Sequence, residues 1–279
     1  MIIHPLARAI LLFASCVLSA ETREGFVPVA GARLFFRDAG GAGTPVVFLH
    51  AASGNTDVWD KQVDAFAAAG YRVITYDRRG WGRSTDEAGY DQAWTATGDL
   101  LAVVNHLRLG RIHLVGTALG GFVVFDFAIS HPELLRSCVI ASSVGGFGDE
   151  ELVAVNQRLR PKGLMQMPPE FYELGPEYRA SNPAGVKSWL EYEKNSRHGA
   201  ESKTPLDHRL RLAMLENIEV PVLLLTGGAD LIAPPALQNI FATHLKHVEQ
   251  VVIPNAGHSV FWEAPELFNR SVLLFLQKH

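Results

Sequence analysis

The stretch that most constrains the fold is residues 114–121, which read LVGTALGG. It continues a short apolar run typical of a β-strand, residues 112–115, and precedes a helix-forming run, residues 122–128. Gly116 and Gly120 bracket its centre. Glycines there suit a strand-to-helix turn so sharp that no side chain fits beside the central residue. The stretch therefore predicts a tight turn that holds the side chain of its central residue clear of the backbone.

A turn of this layout is the nucleophile elbow, G-x-S-x-G, in which a serine is held in a strained conformation. The central residue here is Ala118, so the turn is built for a nucleophile that the sequence does not supply. The glycine spacing alone also fits an ordinary turn between a strand and a helix. Motifs elsewhere in the sequence are needed to distinguish these two interpretations.

Strand-like and helix-like stretches alternate around this turn. The strand-like runs show too little polar alternation for a sheet face in water, which is typical of strands buried on both faces of a parallel sheet. They cover residues 34–38, 45–50, 71–77, 111–115, 135–142, 220–226 and 249–253. Helical patterns cover residues 57–69, 93–109, 235–246 and 265–277. This alternation predicts an α/β fold with a doubly wound, mostly parallel sheet, whose functional crevice lies at the carboxyl ends of the strands.

The alternation stops between about residues 145 and 217. Strand-like runs are absent from this stretch of the sequence, and charged residues, prolines and short helical patterns replace them. We interpret this stretch as a mostly helical cap inserted over the crevice, the kind of insertion in which substrate choice usually resides.

Residues 1–20 differ from the rest of the chain. An apolar run of about 12 residues follows Arg8, too short to span a bilayer but suited to the core of a signal peptide. We therefore expect an exported protein, periplasmic or secreted, without a stable membrane span in the mature chain. Cys16 also fits a lipoprotein signal loosely, so lipid anchoring is the less favoured alternative.

Composition limits the partners. The chain of 279 residues is 48% hydrophobic and has a net charge of −4, which suits one sizeable globular domain and argues against nucleic acid as a partner. Beyond Cys16 the chain has a single cysteine, Cys138, and no zinc-type spacing of cysteine and histidine. The sequence therefore implies no metal or organic cofactor, and it leaves the oligomeric state open.

Three further motifs accompany the turn, one before it and two after it. Residues 77–84 read DRRGWGRS, residues 228–234 carry Asp230 after a late strand, and residues 257–266 begin with Gly257-His258. Together with the elbow these motifs make the chain resemble the α/β-hydrolase fold superfamily, in which the nucleophile, the acid and the histidine follow one another in this order. The resemblance places the hydrolase domain at residues 25–279 and marks the chain as a variant without the serine.

The resemblance implies roles for individual residues. His258 would be the general base, and Asp230 would orient its ring and stabilise its charged form. The oxyanion hole would use the backbone N–H of Leu119 and a second N–H from Ala51 or Ala52. Family members usually read His-Gly where this chain reads His50-Ala51, so the second donor stays open between these two alanines.

Ala118 has three competing explanations, because a methyl group cannot attack a carbonyl. A serine could have been replaced deliberately to trap substrate, although residues 1–20 favour a natural sequence. The chain could be an enzyme that works without the serine, or a binding protein that has lost catalysis. Hydroxyls weighed as substitutes, each better explained as structural, are Thr117, Ser84, Ser142, Ser143 and Ser259.

The sequence favours an enzyme that acts on a small, fairly apolar carbonyl compound such as an ester or lactone, with His258 and Asp230 as the base. The alternatives are a non-catalytic small-molecule-binding protein, or base chemistry of the lyase, isomerase or cofactor-free oxygenase type.

Overall fold

The computed structural model describes residues 22–86, 93–197 and 204–279. The signal peptide predicted for residues 1–20, with Cys16 in it, lies outside these ranges. Within them, no helix combines the length and the apolar character needed to cross a membrane.

Eight strands form one sheet in the order β1-β2-β4-β3-β5-β6-β7-β8. The strands are β1 (Arg23–Val29), β2 (Ala32–Asp38), β3 (Pro45–Leu49), β4 (Arg72–Tyr76), β5 (Ile112–Thr117), β6 (Leu135–Ala141), β7 (Val222–Gly227) and β8 (Val248–Ile253). Strands β3 to β8 run parallel to one another. Strand β2 pairs antiparallel with both of its neighbours, β1 and β4. The predicted α/β fold with a mostly parallel sheet is confirmed.

The helices are α1 (Asp60–Ala68), α2 (Ala96–His106), α3 (Leu119–Ser130), α4 (Glu150–Leu159), α5 (Pro169–Glu173), α6 (Pro176–Ser181), α7 (Pro183–Asn195), α8 (Pro235–Ala242), α9 (Val260–Glu263) and α10 (Pro265–Leu276). Helices α4 to α7 all lie between β6 and β7. We call residues 142–221 the β6–β7 segment; it covers the stretch for which the sequence predicts a cap.

Helices cover the sheet on both faces. Successive strand residues point to opposite sides, so each strand contributes side chains to both cores. In β3, Val47 and Leu49 pack into a core with α2, α3 and α8, whereas Val46 and Phe48 pack into a second core with α1 and α10. All four of these side chains are fully buried, which explains why the strand reads as a continuous apolar run rather than as an alternating one.

Strand β1 is missing from the sequence prediction, which begins the first strand at residue 34. Residues 23–29 carry charges and a proline, and they form an edge strand that pairs only with β2. The helix predicted for residues 93–109 is also shorter than expected. It begins at Ala96 because the side chain of Thr95 caps its first turn by accepting a hydrogen bond from the Gly98 N–H at 3.0 Å.

The DRRGWGRS turn is held by buried charges. Asp77 accepts hydrogen bonds from the backbone N–H groups of Thr56 (2.6 Å) and Arg83 (2.7 Å). Arg79 binds both carboxylate oxygens of Asp99 on α2, at 3.0 and 2.8 Å. Such a bidentate pair fixes geometry as well as charge, so the turn after β4 is locked against the neighbouring helix.

The strand-to-helix turn has the geometry that the sequence predicts. Ala118 lies between β5 and α3 with φ 48° and ψ −113°. A Cβ atom on Gly116 would lie 2.6 Å from the Gly120 carbonyl oxygen, and one on Gly120 would lie 2.4 Å from the Leu49 carbonyl oxygen. Only glycine fits such close backbone contacts. The two glycines therefore let α3 pack against the ends of β5 and β3.

The backbone of Ala118 is strained without an evident structural gain. A residue other than glycine in this region of φ and ψ costs of order 1–3 kcal/mol. Such strain is expected at a residue whose reactive side chain must stand clear of the backbone. At position 118 the side chain is only a partly exposed methyl group.

Replacing Ala118 with glycine should therefore stabilise the protein. We expect A118G to raise the free energy of unfolding by about 1 kcal/mol, since relief of strain outweighs the added entropy of the unfolded chain. The matched control is A128G in α3, which should lower the free energy of unfolding by about 1 kcal/mol because the helix there is regular. Urea unfolding measures both; equal destabilisation by the two variants would contradict the assignment of strain.

Candidate active site

The acid and the histidine predicted from the sequence lie in direct contact. Nδ1 of His258 lies 3.0 Å from Oδ1 and 2.9 Å from Oδ2 of Asp230. Oδ1 of Asp230 also accepts hydrogen bonds from the N–H groups of Ile232 and Ala233, at 2.8 Å each. Both side chains are buried. The carboxylate is thus held by its own loop, and it engages Nδ1 so that Nε2 is the nitrogen left for chemistry.

The two groups shift each other's pKa in opposite directions. Burial lowers the pKa of His258, but the charge and hydrogen bond of Asp230, helped by Glu173 and Glu263, outweigh burial and raise it to about 9. Burial raises the pKa of Asp230, yet the charge of His258 and the hydrogen bonds to the carboxylate lower it more. At neutral pH the pair is therefore an imidazolium bound to a carboxylate.

The elbow, the acid loop and the histidine loop follow one another along the rim of the sheet. The Ala118 N–H donates to the Ala141 carbonyl at 2.9 Å at the end of β6. The Ala229 N–H, beside Asp230, donates to the Ala256 carbonyl at 2.9 Å, two residues before His258. Because β5 to β8 are parallel neighbours, their carboxyl ends bring these loops to the same edge.

The oxyanion candidates differ in orientation. Leu119 is the first residue of α3, so its N–H has no acceptor within the helix. The Ala51 carbonyl points into the protein, where Nδ1 of His50 lies at 2.7 Å and Nη2 of Arg78 at 3.2 Å. The C=O and N–H of a trans amide point in opposite directions, and the described residues contain no cis peptide bond. The N–H of Ala52, which shares this amide, therefore points away from Arg78.

One carboxyl group beside His258 belongs to none of the sequence motifs. Glu173, at the end of α5, accepts a hydrogen bond from the Ser259 hydroxyl at 3.1 Å, and its backbone carbonyl accepts one from the Ser259 N–H at 2.9 Å. Burial raises the pKa of Glu173, although the charge of His258 opposes this shift. No sequence motif marks Glu173, because its position depends on how the β6–β7 segment docks.

A second glutamate ties the same regions together. Oε2 of Glu263 accepts a hydrogen bond from the Gly175 N–H at 2.7 Å, and both carboxylate oxygens lie near the Gly257 N–H, at 3.0 and 3.1 Å. Burial raises the pKa of Glu263 to about 7, against these two hydrogen bonds. Glu263, which lies within the predicted histidine motif at residues 257–266, thus joins the histidine loop to the β6–β7 segment.

The hydroxyls weighed as substitute nucleophiles have other surroundings. Ser84 donates to the Asp77 carbonyl at 2.6 Å, and Ser143 donates to the Ala118 carbonyl at 2.7 Å. Thr117 and Ser142 are buried, and their hydroxyls have no hydrogen-bond partner among the described residues. Ser142 has φ 46°, so the end of β6 carries a second strained residue.

A second cluster of serine, histidine and aspartate lies at the other end of α3. Oδ1 of Asp126 and Oγ of Ser130 both approach the same nitrogen, Nδ1 of His208, at 2.8 and 3.5 Å. A catalytic arrangement needs the hydroxyl at the nitrogen opposite the carboxylate. Asp126 also accepts the N–H of Asp207 at 2.7 Å, so this cluster anchors the β6–β7 segment to α3.

In the described part of the chain, no group of three or more histidine, cysteine, aspartate or glutamate side chains is arranged to hold a metal ion.

Comparisons with known proteins agree with this fold. The model of the Alpha/beta hydrolase family matches residues 46–271. A Mycobacterium tuberculosis protein, provisionally named as the non-heme bromoperoxidase BpoC, is 30% identical over 85% of this chain and 95% of its own length. A 2-hydroxy-6-oxononadienedioate/2-hydroxy-6-oxononatrienedioate hydrolase from Burkholderia vietnamiensis is 29% identical over 88% of this chain and 91% of its own.

A thermophilic esterase from Thermogutta terrifontis, solved with malate bound, superposes with a TM-score of 0.76 at 25% identity, covering 93% of this chain and 99% of the esterase. The family model alone spans well over half of the chain. The protein belongs to the α/β-hydrolase family.

Proposed function

We propose that the protein is an enzyme that acts on a small, fairly apolar carbonyl compound, an ester or a lactone, by general-base catalysis without a serine nucleophile. The observation that carries the proposal is the buried contact between His258 and Asp230, at the same edge of the sheet as an elbow with a strained backbone. A chain that had only kept the fold would have no use for either feature.

In this proposal water takes the place of the missing hydroxyl. Nε2 of His258 removes a proton from water while the water oxygen attacks the carbonyl carbon, and the N–H groups of Leu119 and Ala52 stabilise the resulting oxyanion. The oxyanion then collapses, the bond to the alkoxide breaks, and the imidazolium returns the proton to the alkoxide. The products are a carboxylic acid and an alcohol, or a hydroxy acid from a lactone.

Several relatives support carbonyl chemistry in this family. They include a thermophilic esterase and a 2-hydroxy-6-oxononadienedioate/2-hydroxy-6-oxononatrienedioate hydrolase. The same base could instead remove a proton directly from a substrate carbon, as a lyase, an isomerase or a cofactor-free oxygenase requires. The third candidate is a binding protein in which the pair only hydrogen-bonds a ligand.

Restoring the serine tests whether the frame around residue 118 is intact. We expect A118S to hydrolyse p-nitrophenyl butyrate at least about a thousandfold faster than the wild type, since loss of the serine from such a triad costs about 10^6 in turnover. Adding H258A should remove the gain, whereas adding H244A at a surface histidine should not. A folded A118S variant without esterase activity would contradict the proposed geometry.

The wild type should depend on pH in a direction fixed by His258. Only the neutral imidazole can accept a proton, and with a pKa of about 9 it makes up about one hundredth of the molecules at pH 7. Turnover of p-nitrophenyl butyrate, corrected by the H258A variant at each pH, should therefore rise about tenfold per pH unit and level off above pH 9. A rate independent of pH between 7 and 9 would rule out His258 as the base.

A further inference from the structure

The guanidinium of Arg78 is a buried positive charge that the mechanism above does not use. Arg78 is 3% exposed, and its guanidinium lies over the ring of Trp81, 4.2 Å from the ring centroid. Nη1 donates to Oγ1 of Thr204 at 3.0 Å, while Nε has no hydrogen-bond partner within residues 22–86, 93–197 and 204–279. Among the described residues, no carboxylate forms a salt bridge with it. Burying a charge without a charged partner costs free energy of folding, so the buried position of Arg78 calls for an explanation.

The neighbours of Arg78 point to the loop after β3. Its backbone N–H donates to Nε2 of His50 at 3.0 Å, so Nε2 is the acceptor and the ring proton is on Nδ1. Nδ1 then donates to the Ala51 carbonyl at 2.7 Å. Nη2 of Arg78 donates to the same carbonyl at 3.2 Å, and the Gly54 N–H lies 3.3 Å from it. Three donors, one of them a cation, converge on a single backbone oxygen.

The three hydrogen bonds to the Ala51 carbonyl also affect the N–H at the other end of the same amide. Hydrogen bonds to a carbonyl oxygen polarise the peptide unit and make its N–H a stronger donor, and a charged donor in a dry environment does so most. The amide that carries the Ala51 carbonyl ends in the N–H of Ala52. Burial lowers the pKa of Arg78 to about 10, so the guanidinium keeps its charge at neutral pH.

We propose that Arg78 is a positioning residue of the active site, which orients and polarises the Ala51–Ala52 amide so that the Ala52 N–H binds the oxyanion more strongly. The role rests on the proposed function, because it needs a reaction that develops negative charge on a carbonyl oxygen. This role explains why a cation is buried at this place, because the negative charge of the oxyanion compensates the positive charge of Arg78 when the oxyanion forms.

The kinetic test uses the A118S background, where hydrolysis of p-nitrophenyl butyrate is followed. Replacing Arg78 with methionine removes the charge and the hydrogen bonds but keeps much of the apolar stem. We expect R78M to lower kcat by roughly tenfold with KM unchanged, since direct loss of one oxyanion donor costs about 10^2–10^3. R78K keeps the charge without the planar fork and should recover part of kcat.

The control is R83M. Arg83 belongs to the same turn and also stacks on an aromatic ring, 3.8 Å from the centroid of Phe35, but its side chain bonds Thr56 and Asp57 rather than Ala51. Its loss should leave kcat within about twofold of the parent, since exposed ion pairs contribute little.

A second readout does not need turnover. The Ala52 amide proton in the wild-type chain should move upfield in the NMR spectrum of R78M, less in R78K, and remain in place in R83M. If A118S is inactive, the geometry that the proposed function requires around residue 118 fails, while the Ala52 resonance still tests Arg78. An unchanged Ala52 resonance in folded R78M, or in R78K where R78M does not fold, would overturn the proposal, as would an unchanged kcat.

Discussion

The contact between His258 and Asp230 is the interaction on which the rest of the site depends. Both groups are buried, so each alone would be driven towards its neutral form, and only their proximity keeps both charged. Strands β7 and β8 supply the two loops, and Glu263 links the histidine loop to the β6–β7 segment. The two strands therefore position the pair, Asp230 keeps His258 charged, and the β6–β7 segment packs against the histidine loop.

The elbow has the scaffold of a nucleophile turn, although its central residue is alanine. The elbow keeps the glycine contacts that make it sharp and the positive φ that makes it strained, and it presents a methyl group instead of a hydroxyl. Glu173 lies beside the histidine, and Arg78 lies behind the loop after β3. In the proposed function, the histidine acts on water or on the substrate itself.

Much of the sheet could be predicted from sequence because burial on both faces leaves a plain signal. Continuous apolar runs identified β3 and β5, whereas the edge strand β1, charged and interrupted by a proline, gave none. The contact between Asp230 and His258 followed from motif order. Glu173 and the environment of Arg78 could not be foreseen, because docking of the β6–β7 segment and convergence on one carbonyl are tertiary features without a local pattern.

The most direct test of the account is the titration of the His258 imidazole by 15N NMR in the wild type and in D230N. The account predicts a midpoint near pH 9 in the wild type, because Asp230 outweighs burial. In D230N the midpoint should fall by more than about one pH unit, since burial then meets much weaker opposition. A wild-type midpoint at or below 6.5, the ordinary value for histidine, or the same midpoint in both proteins, would contradict it.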